Sequence, residues 1–157
     1  MKNALFNNII SLEYPEDFYE MKEDEIKQFF GGDLLRFGAR NVEKHVILSI
    51  AKTKSSFLSF LASPKSVLSG AENNLRSNLK GYKLLEEFEV EMLSKQGVGM
   101  RFEYSAIDKD IKQFAEMAVV KFKNDFYVTY CLSRLEDKLE NEELFERFRN
   151  SLKTLTK

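Results

Sequence analysis

The stretch that decides the fold covers residues 82–134 and reads YKLLEEFEVEMLSKQGVGMRFEYSAIDKDIKQFAEMAVVKFKNDFYVTYCLSR. It contains four runs rich in aromatic, β-branched and other apolar residues, separated by short polar segments. Runs of this length and composition, bounded by turn-forming residues, are typical of β-strands joined by hairpins. The stretch therefore predicts a four-strand antiparallel meander in the C-terminal half of the chain.

Local turn chemistry predicts how the four strands pair. Turns are placed at Asn124-Asp125, at Asp108-Lys109 and over residues 93–97. The resulting cross-strand pairs include Val119 with Tyr130, Met100 with Met117, and Val90 with Met100. All three registers collect apolar residues on one face, which a one-residue slip would break. That face is predicted to hold Phe88, Val90, Met92, Val98, Met100, Phe102, Tyr104, Ala115, Met117, Val119, Val128, Tyr130 and Leu132.

The opposite face of the predicted meander mixes apolar and charged residues. The registers place Arg101 between Glu89 and Glu116, as a ladder of cross-strand ion pairs. Because about half of this face is apolar, we expect a helix to cover part of it. The polar residues of this half-covered face that are candidates to contact a ligand are Arg101, Glu103, Glu116 and Tyr127.

The rest of the chain alternates between strand and helix patterns. Strands are predicted over residues 9–14, 34–40 and 46–52, and helices from Glu23 to Gly31-Gly32, from Ser63-Pro64, and over residues 141–155. Residues 57–61 fit either a strand or a helix. The sequence thus predicts one α+β domain, residues 1–157, with an antiparallel sheet and helices on both faces, an α/β/α sandwich.

Composition narrows the class of protein. The 157 residues carry 24 Lys and Arg against 25 Asp and Glu, so the clustered positive charge of a nucleic-acid surface is not expected. No apolar run approaches the ~20 residues that span a bilayer. A single cysteine, Cys131, excludes an intrachain disulfide. Together these features favour a cytoplasmic protein.

No residue pattern indicates catalysis, a cofactor or a metal site. His45 is the only histidine and precedes an apolar strand, which favours a solvated residue at a strand end. Cys131 lies in an aromatic strand and is expected to be a small buried apolar residue. The glycine clusters match no phosphate-binding loop. We therefore predict no catalytic, cofactor-binding or metal-binding residues.

The order of elements resembles a known group of proteins. The residues that carry the resemblance are Tyr14-Pro15-Glu16-Asp17-Phe18, Glu23-Asp24-Glu25, His45-Val46-Ile47-Leu48-Ser49-Ile50, Ser63-Pro64-Lys65 and Arg101-Phe102-Glu103-Tyr104. They resemble small uncharacterised proteins of Firmicutes and, more distantly, the PsbP-like fold. The resemblance implies a sheet with helices on both faces and, since a photosystem subunit and a Ran-binding nuclear transport factor share that fold, a role in binding another protein.

Three hypotheses for function follow from the sequence. The first is a non-enzymatic module that binds another protein. The second is a small-molecule binder or small enzyme that uses a cleft between the sheet and a helix. The third, a variant of the first, is an immunity or regulatory protein paired with a specific partner.

Overall fold

The computed structural model describes residues 1–32, 34–53, 61–106 and 110–155. These ranges contain ten strands and three α-helices. The strands are β1 (Lys2–Phe6), β2 (Ile10–Tyr14), β3 (Tyr19–Glu20), β4 (Leu35–Asn41), β5 (Val46–Lys52), β6 (Lys83–Met92), β7 (Lys95–Ser105), β8 (Lys112–Phe122), β9 (Asp125–Arg134) and β10 (Lys153–Thr154). The helices are α1 (Glu23–Phe30), α2 (Pro64–Asn78) and α3 (Lys138–Ser151).

The strands form two antiparallel sheets. The larger sheet has the order β3-β4-β5-β9-β8-β7-β6, so the predicted meander is its C-terminal half. The smaller sheet has the order β1-β2-β10. Helices α1 and α2 pack on one face of the larger sheet, and α3 with the smaller sheet packs on the other. The predicted α+β class, with helices on both faces, is confirmed.

The helix boundaries follow from local capping. Helix α1 begins with three acidic residues, whose negative charges are stabilised by the positive end of the helix dipole. It ends at Gly31, which has a φ of 65°. Ser63 caps α2 through a capping box with Ser66, as the Ser63-Pro64 pattern predicts. Residues 57–60 lie outside the described residues, so the choice between strand and helix there stays open.

The prediction that the last helix covers residues 141–155 is wrong at both ends. Helix α3 begins at Lys138, after the 3₁₀ turn Leu135–Asp137, and ends at Ser151. Asn141, the first residue of the predicted range, is instead a buried residue inside the helix. The helix stops before Leu155 because Lys153 and Thr154 pair with β2 as β10.

The register between β7 and β8 is confirmed, whereas that between β8 and β9 is shifted by two residues. Met100 lies opposite Met117, as predicted, although the proposed turn residues at 108 and 109 lie outside the described residues. Val119 lies opposite Val128, not Tyr130. The turn is formed by Lys123 and Asn124, both with positive φ, which a type I′ turn requires. A shift of two residues preserves which face each side chain occupies.

The register between β6 and β7 is wrong by three residues, which moves the side chains of β6 to the other face. Val90 lies opposite Gly97 instead of Met100. The turn consists of Leu93 and Ser94, with φ of 54° and 60°, and not of a glycine-containing loop. Gly97 and Gly99 lie within β7 because packing requires them there: a Cβ on Gly99 would come within 2.5 Å of Cζ of the Phe88 ring.

Two buried clusters result, one on each face of the larger sheet. The face under α1 and α2 holds Met100, Phe102, Ala115, Met117 and Val119, all on the predicted apolar face. The face under α3 and the smaller sheet holds Val90 and Met92 of β6 with Phe114, Val120, Tyr127, Phe145 and Phe148. The second face of the meander is therefore almost as apolar as the first, and is covered along much of its length.

We expect Gly99→Ala to destabilise the protein by about 1–3 kcal/mol, because the added methyl group displaces the Phe88 ring. Gly70→Ala is the matched control, since a Cβ on Gly70 of α2 meets no atom within 4 Å. At that exposed helical position alanine should stabilise the protein by about 0.5–1 kcal/mol. Urea unfolding of both variants measures the difference. If the two substitutions change the midpoint equally, the close packing of Phe88 on β7 is wrong.

Candidate functional site

A buried carboxylate lies at the centre of the meander, beneath α3. Glu116 of β8 is 1% exposed and lies opposite Arg101 of β7. Its Oε1 accepts a hydrogen bond from Nε of Arg149 on α3 at 2.6 Å, and its Oε2 accepts one from Nε of Arg101 at 3.0 Å. Both guanidinium groups also lie over the ring of Phe88. We call Glu116, Arg101 and Arg149 the central ion cluster.

The electrostatics of this cluster favour a structural role. Burial raises the pKa of Glu116, and the two guanidinium groups oppose that shift. Arg101 is further paired with Glu86 of β6 at 2.7 Å. Because both carboxylate oxygens of Glu116 already accept charged hydrogen bonds, the group is not free to act as an acid or base. The cluster instead joins α3 to the sheet, since Arg149 comes from the helix.

The structure brings only some of the predicted ligand-contacting residues together. Arg101 and Glu116 are in direct contact, although the partner of Arg101 on β6 is Glu86 rather than Glu89. Glu103 lies further along β7 and pairs with Lys112 at 3.7 Å. Tyr127 is buried at a different part of the same face, with its hydroxyl 3.4 Å from Nδ2 of Asn7.

Two other residues considered in the sequence have unremarkable surroundings. His45 is exposed in the turn between β4 and β5, with φ 58°. Cys131 is buried, and burial raises the pKa of its thiol, which keeps it in the less reactive protonated form. Within the described part of the chain, no three His, Cys, Asp or Glu residues are placed to hold a metal ion.

A groove lies on the opposite face, between α2 and the β6–β7 hairpin. Its volume is about 470 Å³. We call it the α2–β6 groove, and its lining includes Lys65, Leu68, Ser69, Glu72, Glu87, Glu89, Val98 and Met100. The floor is apolar, whereas Lys65, Ser69, Glu87 and Glu89 on its rim are exposed.

Sequence reasoning missed this groove and the role of Arg149. The predicted β6 register is wrong by an odd number of residues, so it places Glu89, and with it Glu87 two residues earlier, on the face that carries Arg101. The alternating signs of charge along residues 136–149 are typical of a solvated helix face and therefore do not indicate that Arg149 is buried. Its position four residues after the buried Phe145, on the same face of the helix, was the available signal for burial.

Solved structures share this arrangement of layers. The Ran-binding protein Mog1p of Saccharomyces cerevisiae superimposes with a TM-score of 0.61 at 11% identity, over 97% of this chain and 95% of that chain. The chain has a PsbP/Mog1-like fold. Cyanobacterial PsbP (CyanoP) of Synechocystis gives a TM-score of 0.57 at 16% identity, over 91% of this chain and 85% of that one.

The PsbP/Mog1-like fold also occurs in PA94 of Pseudomonas aeruginosa, a protein of unknown function, with a TM-score of 0.56 at 11% identity, over 93% of this chain and 91% of that chain. At these identities the likeness establishes the fold alone. Neither a protein-family model nor a curated protein sequence matches this chain. Among the described helices, none is long and apolar enough to cross a membrane.

Proposed function

We propose that this protein is a cytoplasmic, non-enzymatic, single-domain module that binds another protein through the α2–β6 groove. The observation that carries the proposal is the groove itself, an apolar floor with an exposed charged rim. An apolar centre surrounded by polar residues is the usual anatomy of a protein-binding surface. A role as an immunity or regulatory partner is one form of the same proposal.

Two further observations support a binding role over catalysis. The most deeply buried charged groups, in the central ion cluster, neutralise one another beneath α3 and do not line the groove. Mog1p, which has this fold, is a Ran-binding protein. At least one protein with this fold, at low sequence identity to this chain, therefore binds a protein partner.

The proposal is tested by recovering partners from the native cytoplasm with a tagged protein. Ser69→Arg fills the groove with a bulky cation at an exposed helical position, and should reduce recovery of a specific partner by at least about tenfold. Ser77→Arg introduces the same side chain at an exposed position of α2 that does not line the groove, and should leave recovery unchanged. Equal recovery by both variants contradicts binding through the groove.

A small-molecule ligand is the second candidate, because about 470 Å³ lies within the usual range of ligand pockets. A bound metabolite stabilises the folded state and raises the melting temperature. If a metabolite screen raises the melting temperature of the wild type but not of Ser69→Arg, and no protein partner is recovered, the docking proposal is replaced by this one.

A further inference from the structure

Strand β6 forms an exposed edge of the larger sheet. It is ten residues long, whereas the strand at the other edge, β3, has two residues. Within the described residues, no strand pairs with the outer side of β6. An unpaired strand of this length presents a row of backbone N–H and C=O groups that a further strand can bind. The edge runs beside the α2–β6 groove, since Glu87 and Glu89 belong to both.

The hairpin register decides which backbone groups of β6 are free. A two-residue turn closes on a hydrogen-bonded pair, here Met92 and Lys95. Hydrogen-bonded and non-bonded pairs then alternate along an antiparallel ladder. Glu87, Glu89 and Glu91 therefore direct their backbone N–H and C=O groups outward. The bulge between Leu84 and Glu86 limits this regular edge to the half of β6 nearest the turn.

The same three residues give the edge its charge. Their side chains lie on the face that carries α2, at every second position. All three are exposed. Glu91 accepts a hydrogen bond from Gln96, and neither Glu87 nor Glu89 has a hydrogen bond or ion pair with any residue of the described ranges. Among the described residues that line the groove, Lys65 of α2 is the one lysine.

We propose that β6 binds an extended segment of a partner protein by antiparallel strand addition, and that this segment carries Lys or Arg at every second position. In such a pair, residues directly opposite each other place their side chains on the same face. Basic residues opposite Glu87, Glu89 and Glu91 would therefore pair with them. The intervening residues would lie on the face of Phe88, Val90 and Met92, which favours apolar side chains there. This inference rests on the proposed protein-binding function and names its partner class.

A second copy of this chain is a poorer occupant of the same edge. Pairing β6 with β6 of another molecule would bring rows of glutamates together, and like charges on adjacent strands are destabilising. The glutamates therefore also protect the edge from self-association. If the glutamates served only to prevent self-association, no affinity for a basic strand would be expected. Binding of a basic peptide therefore distinguishes a docking role from a purely protective one.

The probe is a short peptide that alternates lysine and valine, with blocked ends, titrated into the ¹⁵N-labelled full chain. We expect saturable shifts of the amide resonances of Glu87, Glu89 and Glu91. N-methylation of the lysine amides, which would donate to β6, should weaken binding at least about tenfold by removing hydrogen bonds. N-methylation of the valine amides should leave the affinity unchanged. A peptide of the same composition with its lysines in one block should bind more weakly than the alternating one.

Matched variants of the protein test the charge requirement. Glu89→Lys replaces an attractive cross-strand pair by a repulsive one and should weaken binding about tenfold. Glu146→Lys makes the same change in net charge at an exposed position of α3, across the sheet, and should have little effect. Circular dichroism spectra that match that of the wild type verify that both variants are folded.

Either of two results overturns the inference. One is the absence of peptide binding to the wild type, and the other is equal affinity for the alternating, block and N-methylated peptides, which would indicate attraction between charges without strand pairing. Neither result affects the proposed function if Ser69→Arg still abolishes recovery of a native partner. If either of these results is obtained and Ser69→Arg also leaves the recovery of partners unchanged, both the proposed function and the inference are overturned.

Discussion

Phe102→Ala is expected to lower the free energy of unfolding by about 3–5 kcal/mol, as deletion of a buried aromatic ring does. Phe102 of β7 is 0% exposed and lies at the centre of the core beneath α2. Its ring contacts those of Tyr82, Tyr104 and Tyr130, with centroid separations of 5.3, 6.1 and 6.2 Å. Three aromatic neighbours cannot all move inward to fill the space, so a cavity remains.

Chemical denaturation measures this loss in the free energy of unfolding. The loss is a large share of the about 5–15 kcal/mol that is typical of a domain's total stability. Glu89→Ala is the control on the neighbouring strand, because Glu89 is exposed and should change stability by less than about 0.5 kcal/mol. An unfolding midpoint for Phe102→Ala close to that of Glu89→Ala would show that this side chain is not part of the core.

Glu116→Ala is expected to cost about 3–5 kcal/mol, because it leaves Arg149 buried without a counter-charge. The side chain of Arg149 is 7% exposed, so water cannot replace the lost carboxylate without movement of α3. The destabilisation that arises at Arg101 should be smaller, since Arg101 keeps its ion pair with Glu86. Thermal or urea unfolding of the single variant gives the size of the effect.

A double replacement separates the loss of attraction from the cost of an unpaired charge. Glu116→Leu combined with Arg149→Met exchanges the buried pair for apolar side chains, which is often neutral or stabilising. We expect the double variant to be more stable than Glu116→Ala by at least about 2 kcal/mol. If the double variant is instead less stable than Glu116→Ala, the attraction within the cluster exceeds the cost of its desolvation. That result would contradict our expectation that apolar side chains can replace the buried pair.

Sequence patterns predicted the meander well because a sheet face has a period of two residues. The error of two residues between β8 and β9 left every side chain on its predicted face. The error of three residues between β6 and β7 moved Phe88, Val90 and Met92 to the opposite face. Turn chemistry was the weak step: Leu93 and Ser94 adopt positive φ, which their residue types disfavour, while Gly97 and Gly99 serve packing in β7.

The candidate site was predictable only where it depended on local register. The contact between Arg101 and Glu116 follows from the β7–β8 hairpin alone. Arg149 comes from a helix on a distant part of the chain, and its partner could not be assigned without the packing of α3. The α2–β6 groove requires both the correct β6 register and the position of α2, so neither element alone indicates it.

Amide hydrogen exchange of the free protein tests most directly whether the β6 edge is open to a partner. The structure predicts alternation along β6: slow exchange at Phe88, Val90 and Met92, whose amides bond to β7, and fast exchange at Glu87, Glu89 and Glu91. The reverse alternation would contradict the register. Uniformly slow exchange at all six amides would show that the edge is already covered within the free protein, and no strand of a partner could then bind there.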